Sequence, residues 1–215
     1  MKGIILAIPS KGRLRKPVMD ILEKANIKVI DDDSRVYLTN TTVKGLQILS
    51  VRAIDIPTYV YYGIADMGIT GKDIIEECGL DIYEIADMKF GNCNLVVAVR
   101  EDSPYYDVNQ LPHGIRVATE FPNLTRKFFS NLGIHVEIIT LRGAVEIAPI
   151  LGLSDCIVDL SSTGETLRKN RLRVIATILK SSARLICNKV SYKTKYEDIK
   201  KIIELLVKSC ENINL

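Results

Sequence analysis

Residues 156–167 combine side-chain types that suit the binding of a phosphate and a ribose. An apolar run, which we predict to be a buried strand, ends in Asp159, and a turn of small hydroxyl residues leads into a predicted helix. Backbone N–H groups at a helix start lack partners and favour an anion, and hydroxyl side chains add donors. A carboxylate at the strand end can accept hydrogen bonds from ribose hydroxyls. The predicted cradle comprises Asp159, Ser161, Ser162, Thr163, Gly164, Glu165 and Thr166.

An ordinary helix capped by serine or threonine would show the same pattern, and spacing alone does not separate the two alternatives. Gly164 lets the backbone approach a ligand closely. Glu165 adds a negative charge beside the predicted phosphate. We therefore expect its side chain to turn away while its backbone N–H points inward.

A basic segment at residues 9–14, PSKGRL, lies where the first predicted strand ends and a helix begins. Lys11 and Arg13 flank Gly12, which places two cations on a flexible backbone. Such a pair suits polyphosphates, because Arg makes planar bidentate contacts and Lys acts as a movable point charge. A solvated basic loop is the alternative. Arg35 and Arg52 lie near the next strand ends and could join the cluster.

Another predicted strand runs into the turn Thr70-Gly71-Lys72-Asp73. Asp66 and Asp73 fit ordinary cap or turn positions. Thr70 and Gly71 are better candidates for a site, because a two-lobe arrangement would place them opposite the predicted cradle.

Short apolar runs alternate with amphipathic helical patterns, which is typical of βαβ units with a mostly parallel sheet. The predicted strands are residues 4–8, 46–51, 65–69, 92–99, 115–119, 136–140, 156–160, 173–179 and 183–189, of which the last two are expected to pair with each other. The predicted helices are residues 14–25, 57–62 with Asp55 as N-cap, 73–78, 122–132, 145–151, 163–169 and 196–210.

A short internal sequence repeat suggests two similar lobes. Residues 63–66 (GIAD) and 152–155 (GLSD) each precede a strand and follow a predicted helix that contains a proline. Chance similarity between βα units is the alternative. Ligands in open α/β sheets bind outside the carboxyl ends of the strands, so a cleft between two such lobes would be the natural site. We predict an α/β fold of two lobes with a cleft between them, with residues 1–88 and 180–215 as lobe I and residues 89–179 as lobe II.

Composition excludes several classes of protein. The 29 basic and 26 acidic residues give a net charge of +3, which argues against a nucleic-acid surface, and Trp is absent. Five cysteines without a CxxC motif, and only His113 and His135 as histidines, argue against zinc and favour the reduced thiols of a cytoplasmic protein. No apolar run approaches the ~18 residues of a membrane span. The amino-terminal run at residues 4–8 is shorter than the ~7–15 residues of a signal-peptide core.

Four segments together resemble the ATP phosphoribosyltransferase family of histidine biosynthesis. They are SKGRL, VRAIDIPTYVYYGIADMGITGKD, ATEFPNLTRKFF and GAVEIAPILGLSDCIVDLSSTGETLRKN, and the matches spread from Ile4 to about Tyr192. The resemblance implies a fold like the type II periplasmic binding proteins, with the active site between two α/β lobes. It also implies the reaction, in which the N1 atom of ATP's adenine displaces pyrophosphate from phosphoribosyl pyrophosphate.

The resemblance extends to individual residues. The 159–166 stretch resembles the loop that holds the ribose and 5′-phosphate of phosphoribosyl pyrophosphate, and we assign Arg52, Thr70 and Gly71 to the same substrate. Residues assigned to ATP are Lys11, Gly12, Arg13, Arg35 and, as a weaker transfer, Glu146. Arg13 and Arg35 are the expected catalytic residues, which stabilise the departing pyrophosphate. Mg²⁺ is expected to arrive as the complex with phosphoribosyl pyrophosphate, with few protein ligands to the metal.

The long form of this family carries an extra carboxyl-terminal domain that binds histidine, whereas one predicted helix follows the matched segments here. The chain therefore resembles the short form, the catalytic subunit. That form implies a regulatory partner derived from histidyl-tRNA synthetase and a homodimer within a hetero-octamer. We expect the chain alone to be insensitive to histidine.

Two other functions compete with this interpretation. A non-enzymatic small-molecule-binding domain of the same fold would bring a signal peptide or attached DNA-binding helices, and a binder of neutral solutes would not need an arginine cluster. A nucleobase-salvage phosphoribosyltransferase would usually show two adjacent acidic residues before its phosphate loop, where this chain has Val158 and Asp159.

Overall fold

Apolar runs rich in β-branched residues form the strands of two separate sheets in the computed structural model, which describes residues 3–30 and 36–211. The strands are β1 (Ile4–Pro9), β2 (Leu38–Asn40), β3 (Leu46–Val51), β4 (Met67–Gly71), β5 (Tyr83–Asp87), β6 (Cys93–Arg100), β7 (Ile115–Thr119), β8 (Val136–Thr140), β9 (Cys156–Ser161), β10 (Leu172–Ser181) and β11 (Ala183–Cys187). The helices are α1 (Arg15–Lys24), α2 (Ile56–Tyr61), α3 (Lys72–Cys78), α4 (Pro122–Asn131), α5 (Glu165–Lys169), α6 (Lys189–Thr194) and α7 (Tyr196–Glu211).

The chain folds as two compact units. Unit 1 comprises residues 1–91 and 182–215, and unit 2 comprises residues 92–181. The boundaries predicted from the sequence were 88/89 and 179/180. The fold class is the predicted one, α/β in two lobes, with a separate sheet and core in each unit.

The sheet of unit 1 has the strand order β2-β3-β1-β4-β11-β5. Strands β3, β1 and β4 run parallel, and the remaining pairings are antiparallel. One core lies between this sheet and the apolar faces of α1 and α7. It is built from fully buried side chains such as Ile4, Leu6, Ile21, Ile202 and Leu206. The helical spacing of the apolar residues in α1 and α7 therefore predicted the faces that pack.

The sheet of unit 2 has the order β10-β6-β9-β7-β8, with β9, β7 and β8 parallel and the other pairings antiparallel. Phe129 of α4 packs with Leu95, Val97 and Val117 on one face of the sheet. Leu167 of α5 belongs to a second cluster of buried residues. Burial on both faces explains why these strands are nearly continuous apolar runs.

The short sequence repeat, residues 63–66 and 152–155, corresponds to a repeated pattern of hydrogen bonds at the start of β4 and β9. In unit 1 the Asp66 N–H donates to the Ile5 carbonyl at 2.9 Å, and the Ile5 N–H donates back to Asp66 Oδ2 at 2.9 Å. In unit 2 Asp155 and Arg116 exchange the same two bonds, also at 2.9 Å each. Both aspartates lie at the amino ends of their strands, so their role is to fix strand pairing.

Several predicted elements were wrong. Residues 145–151 do not form an α-helix; a single 3₁₀ turn, Val145–Ile147, follows Ala144, whose φ of +48° is left-handed. The strands near 173–179 and 183–189 do not pair with each other, because β10 pairs with β6 and β11 pairs with β4 and β5. Asp55 lies at the N-cap position of α2, but its side chain makes no capping bond. The sheets are mixed rather than mostly parallel.

Three short elements, β2, β5 and α6, were not predicted. No helix within residues 3–30 and 36–211 is both long and apolar enough to cross a membrane.

Candidate active site

The parallel strands of unit 1 bring three predicted segments to one edge of the sheet. Strands β1, β3 and β4 end at the same edge, so the loop 10–14, the turn 52–55 and the pair Thr70-Gly71 lie close together. The Ser10 N–H donates to the Val51 carbonyl at 2.7 Å, which ties the basic loop to the end of β3. The structure therefore brings Lys11, Arg13 and Arg52 to the carboxyl ends of the strands of unit 1.

Thr70 and Arg52 lie on either side of a short turn at this edge. Thr70 is fully buried, and its hydroxyl donates to the Ala53 carbonyl at 3.0 Å. Arg52 begins the 3₁₀ turn Ala53–Asp55 and is exposed. Thr70 thus braces the turn that carries Arg52. Its hydroxyl already has a protein partner in this structure.

Within the basic loop, Lys11 and Gly12 are exposed, and Gly12 has a φ of +86°. Arg13 is held more firmly, because its Nη2 lies 3.0 Å from Asp73 Oδ1 and its Nη1 donates to the Gly91 carbonyl. The Asp73 side chain is only 1% exposed, whereas that of Arg13 is 34% exposed. The loop therefore presents one exposed cation, Lys11, and one guanidinium held by other residues, that of Arg13.

The carboxyl edge of unit 2 carries Asp159, in the second half of β9. Its Oδ1 accepts a hydrogen bond from the Leu160 N–H at 2.7 Å. Burial raises the pKa of Asp159 to about 6, and the nearby charges of Glu120 and Glu146 push it in the same direction, against the Leu160 hydrogen bond. Part of the Asp159 population can therefore be protonated near neutral pH.

The loop after Asp159 leads into a shorter helix than we predicted. Helix α5 starts at Glu165 rather than Thr163 and has five residues, so its dipole is small. Gly164 precedes it with a left-handed φ of +74°. The exposed hydroxyl residues of the loop are Ser162, Thr163 and Thr166. Backbone N–H groups and hydroxyls, rather than a long helix, would bind an anion here.

The side chain of Glu165 turns away from the loop, as expected. Its carboxylate lies 2.7 Å from Lys169 Nζ, and both side chains are exposed. The Glu165 N–H has a long contact of 3.4 Å with Thr163 Oγ1.

Each unit thus brings together those of its predicted site residues that the structure describes. Glu146 belongs with the residues of unit 2, because its charge acts on the pKa of Asp159. Arg35 lies outside the described residues. Among the residues described, no group of three His, Cys, Asp or Glu side chains could hold a metal ion. Burial raises the pKa of the Cys156 thiol to about 12, so this thiol is unsuited to nucleophilic chemistry.

Two acidic residues that lie beside the predicted site residues were not predicted from the sequence. Asp73 was interpreted as a cap or turn former, but its carboxylate pairs with Arg13. Glu120 had no assigned role, although it directly follows β7 and acts on the pKa of Asp159. A signal for Glu120 was available, because it is a charged residue directly after a predicted buried strand.

Comparison with known proteins identifies the family. The model of the ATP phosphoribosyltransferase family matches residues 52–208. An ATP phosphoribosyltransferase of Halothermothrix orenii is 45% identical over 94% of this chain and 92% of its own length. The chain belongs to the ATP phosphoribosyltransferase family. It is therefore a phosphoribosyltransferase, an enzyme of the glycosyltransferase type that acts in histidine biosynthesis.

Solved structures agree with this membership of the ATP phosphoribosyltransferase family. The ATP phosphoribosyl transferase (HisG:HisZ) complex from Thermotoga maritima contains a chain that is 34% identical, with a TM-score of 0.86 over 97% of this chain and 99% of that one. The periplasmic aliphatic sulphonate binding protein SsuA from Escherichia coli is 14% identical, with a TM-score of 0.63 over 98% of this chain and 69% of that one. The second likeness concerns the fold alone and confirms the predicted type II periplasmic-binding-protein-like architecture.

Proposed function

We propose that this chain joins N1 of the adenine of ATP to C1 of the ribose of phosphoribosyl pyrophosphate and releases pyrophosphate. The observation that carries the proposal is the loop after Asp159 in unit 2. It offers exposed hydroxyls, a left-handed glycine and a neighbouring carboxylate at the carboxyl end of β9, which pairs parallel with β7. Family membership supports the same reaction.

In this proposal unit 2 binds the phosphoribosyl group. Loop 161–166 holds the 5′-phosphate through backbone N–H groups and hydroxyls. Asp159 uses Oδ2 to accept hydrogen bonds from ribose hydroxyls, since Oδ1 already accepts from Leu160. Arg52, Thr70 and Gly71 of unit 1 are proposed to contribute to the same substrate, with Thr70 acting through the turn that it braces.

Unit 1 supplies positive charge from the held guanidinium of Arg13 and from the exposed side chain of Lys11. The adenine N1 lone pair is already nucleophilic, so the difficult step is the charge that develops on pyrophosphate as the bond to C1 breaks. We propose that Arg13 and Arg35 stabilise that charge and that Lys11 and Gly12 contact the phosphates of ATP. Glu146 is proposed as a further ATP contact. A preorganised guanidinium lowers the barrier without having to reorient during the reaction.

Mg²⁺ enters this scheme as part of the substrate. Phosphoribosyl pyrophosphate is proposed to bind as its Mg²⁺ complex, in which phosphate oxygens and water supply most metal ligands.

We propose that the chain works with a regulatory partner. The solved relative from Thermotoga maritima is a HisG:HisZ complex, which supports a second subunit of the HisZ type. We propose that this partner is the one that the family resemblance implies, a protein derived from histidyl-tRNA synthetase. A homodimer of this chain within a hetero-octamer is the proposed assembly. Five free cysteines suit a reducing compartment, so we propose that the enzyme acts in the cytoplasm.

Calorimetry of phosphoribosyl pyrophosphate binding tests the loop assignment. Thr163→Ala and Asp159→Asn should each weaken binding by about tenfold to a hundredfold, because a hydrogen bond to a charged group contributes about 1.5–3 kcal/mol. Thr194→Ala, which removes a hydroxyl from α6 in unit 1, is the matched control and should bind normally. Unchanged affinity in both loop variants would remove the assignment.

A further inference from the structure

The guanidinium of Arg13 is held in a site built by other residues of unit 1. Nη2 lies 3.0 Å from Asp73 Oδ1, and Nη1 donates to the carbonyl of Gly91. Asp73 is almost completely buried, at 1% exposure. Burial of a carboxylate is unfavourable unless the charge is paired and hydrogen-bonded. The pair with Arg13 therefore offsets part of the cost of keeping Asp73 at this position.

Two glycines make room for this arrangement. A Cβ atom at Gly71 would lie 2.2 Å from Asp73 Oδ1 and 3.2 Å from Arg13 Nη2. A Cβ atom at Gly91 would lie 3.2 Å from Arg13 Nη1 and 2.3 Å from Leu14 Cδ2. Each terminal nitrogen of the guanidinium thus lies over one glycine, and any larger residue would displace the guanidinium or its partner.

The guanidinium keeps donors for a ligand while it is held. Arginine has five N–H donors, and the contacts with Asp73 and Gly91 each require only one. The side chain of Arg13 remains 34% exposed. Lysine could not reproduce this geometry, because a single ammonium is a point charge and cannot span both partners as a planar fork.

We propose that Asp73 is a positioning residue, which orients Arg13 for the phosphate groups of the substrates, and that Gly71 and Gly91 are required for this arrangement. The inference deepens the proposed function and rests on it for the identity of the ligand. Asp73 contacts no substrate in this account, and its effect on the substrates passes through the Arg13 guanidinium. Fixing that group before the substrate binds removes the entropic cost of ordering a long side chain.

A double-mutant cycle on kcat tests the inference with the full-length chain, and with the regulatory subunit present where turnover requires it. Asp73→Asn keeps an oxygen acceptor but removes the charge, and it should lower kcat on the order of tenfold to a hundredfold. In an Arg13→Ala background the same substitution should change kcat less than about twofold, because the group that it orients is gone. An equal loss in both backgrounds, or no loss in the first, would overturn the proposal.

Two further variants serve as controls. One replaces Asp73→Asn if that variant does not fold, and the other measures the effect on kcat of losing an ion pair elsewhere in the chain. Gly71→Ala keeps both charges but crowds Asp73 Oδ1. If Asp73→Asn does not fold, Gly71→Ala should lower kcat in the wild-type background and change it less than about twofold in the Arg13→Ala background, whereas a direct contact of Gly71 with substrate would give the same loss in both. Asp155→Asn breaks the Arg116–Asp155 pair at the amino edge of unit 2 and should leave kcat unchanged. A wild-type enzyme that releases no pyrophosphate would instead contradict the proposed function, so the two failures are distinguishable.

Discussion

The ionised form of Asp159 is unfavourable in the folded protein, at the place where we propose that the substrate binds. Its folded-state pKa of about 6 lies above its ordinary value of 3.8, because burial, Glu120 and Glu146 all disfavour the ionised form. A carboxyl group with a raised folded pKa binds its proton more tightly when folded, so its ionisation destabilises the fold. The destabilisation is absent below about pH 4, grows between pH 4 and 6, and is complete above pH 6.

Asp159→Asn should therefore stabilise the protein while it impairs substrate binding. The amide side chain of this variant would stay neutral at every pH and still offer an oxygen to the Leu160 N–H, so the free energy of unfolding at pH 7 should rise by on the order of 1–2 kcal/mol. Denaturant titrations at pH 7 and pH 4 measure this difference, and the gain should shrink towards pH 4. A variant less stable than wild type at pH 7 would show that Asp159 serves the fold rather than the ligand.

Arg13 and Arg35 should act mainly on the transition state. Pyrophosphate gains charge only as its bond to ribose breaks, so Ala substitution should lower kcat more than it raises KM. Arg→Lys should also be costly, since the bidentate fork is lost. Steady-state kinetics with ATP as the varied substrate separate the two parameters. If Arg35→Ala kept kcat and raised only KM, Arg35 would be a ground-state binder.

The elements of this fold differ in how clearly the sequence marks them. Strands β3, β7 and β8 have the predicted bounds, and Gly79 ends α3 in the left-handed conformation that its position after the helical pattern predicts. These elements are marked by continuous apolar runs or by a glycine stop. Strand β5 was missed because it is a short strand at the edge of a sheet, and its two acidic residues, Glu84 and Asp87, leave no continuous apolar run.

The predicted pairing of the strands on either side of residue 182 was wrong, and the reason cannot be seen in the spacing of apolar residues. One residue, Ser182, separates β10 from β11, which is too short for the two-residue turn of a tight hairpin. The chain instead passes from the sheet of unit 2 to the sheet of unit 1. The contact between Arg13 and Asp73 was equally hidden, because the two residues are 60 positions apart and meet only through the parallel pairing of β1 and β4.

The conformation of Gly164 should matter more for function than for folding. Gly164→Ala meets no atom within 4 Å but forces a left-handed alanine, at a cost of about 1 kcal/mol. The KM for phosphoribosyl pyrophosphate should rise severalfold if loop 161–166 shifts. Gly133→Ala is a matched control, because Gly133 has a similar φ of +71° and equal space but follows α4. Equal KM values in the two variants would contradict the role of the loop.

The same group of three parallel strands occurs once in each unit, as β3-β1-β4 in unit 1 and as β8-β7-β9 in unit 2. The short repeat GIAD and GLSD predicted this arrangement, because each aspartate makes the same two hydrogen bonds: its N–H donates to a strand carbonyl, and its carboxylate accepts from the N–H of the same strand residue. The chemistry differs between the units: cations gather at the carboxyl edge of unit 1, whereas carboxylates and hydroxyls gather at that of unit 2. The described residues at these two edges were predicted as site residues, apart from Asp73 and Glu120, and their roles remain predictions.

Histidine should not inhibit this chain in the absence of a partner. Feedback control needs a second site whose occupancy biases a two-state element, and we place that site on the proposed regulatory subunit. Activity assays and calorimetry with histidine on the purified chain examine this expectation. Tight histidine binding with matching inhibition by the isolated chain would place the regulatory site within it.

The formation of phosphoribosyl-ATP tests the central claim most directly. The purified chain is incubated with ATP, phosphoribosyl pyrophosphate and Mg²⁺, with and without a regulatory subunit derived from histidyl-tRNA synthetase, and both products are quantified. We predict an adduct at N1 of adenine and one pyrophosphate per adduct, with turnover strongly reduced in the Asp159→Asn/Thr163→Ala double variant. Absence of the adduct and of pyrophosphate release with both the substrates and the partner present would contradict the account.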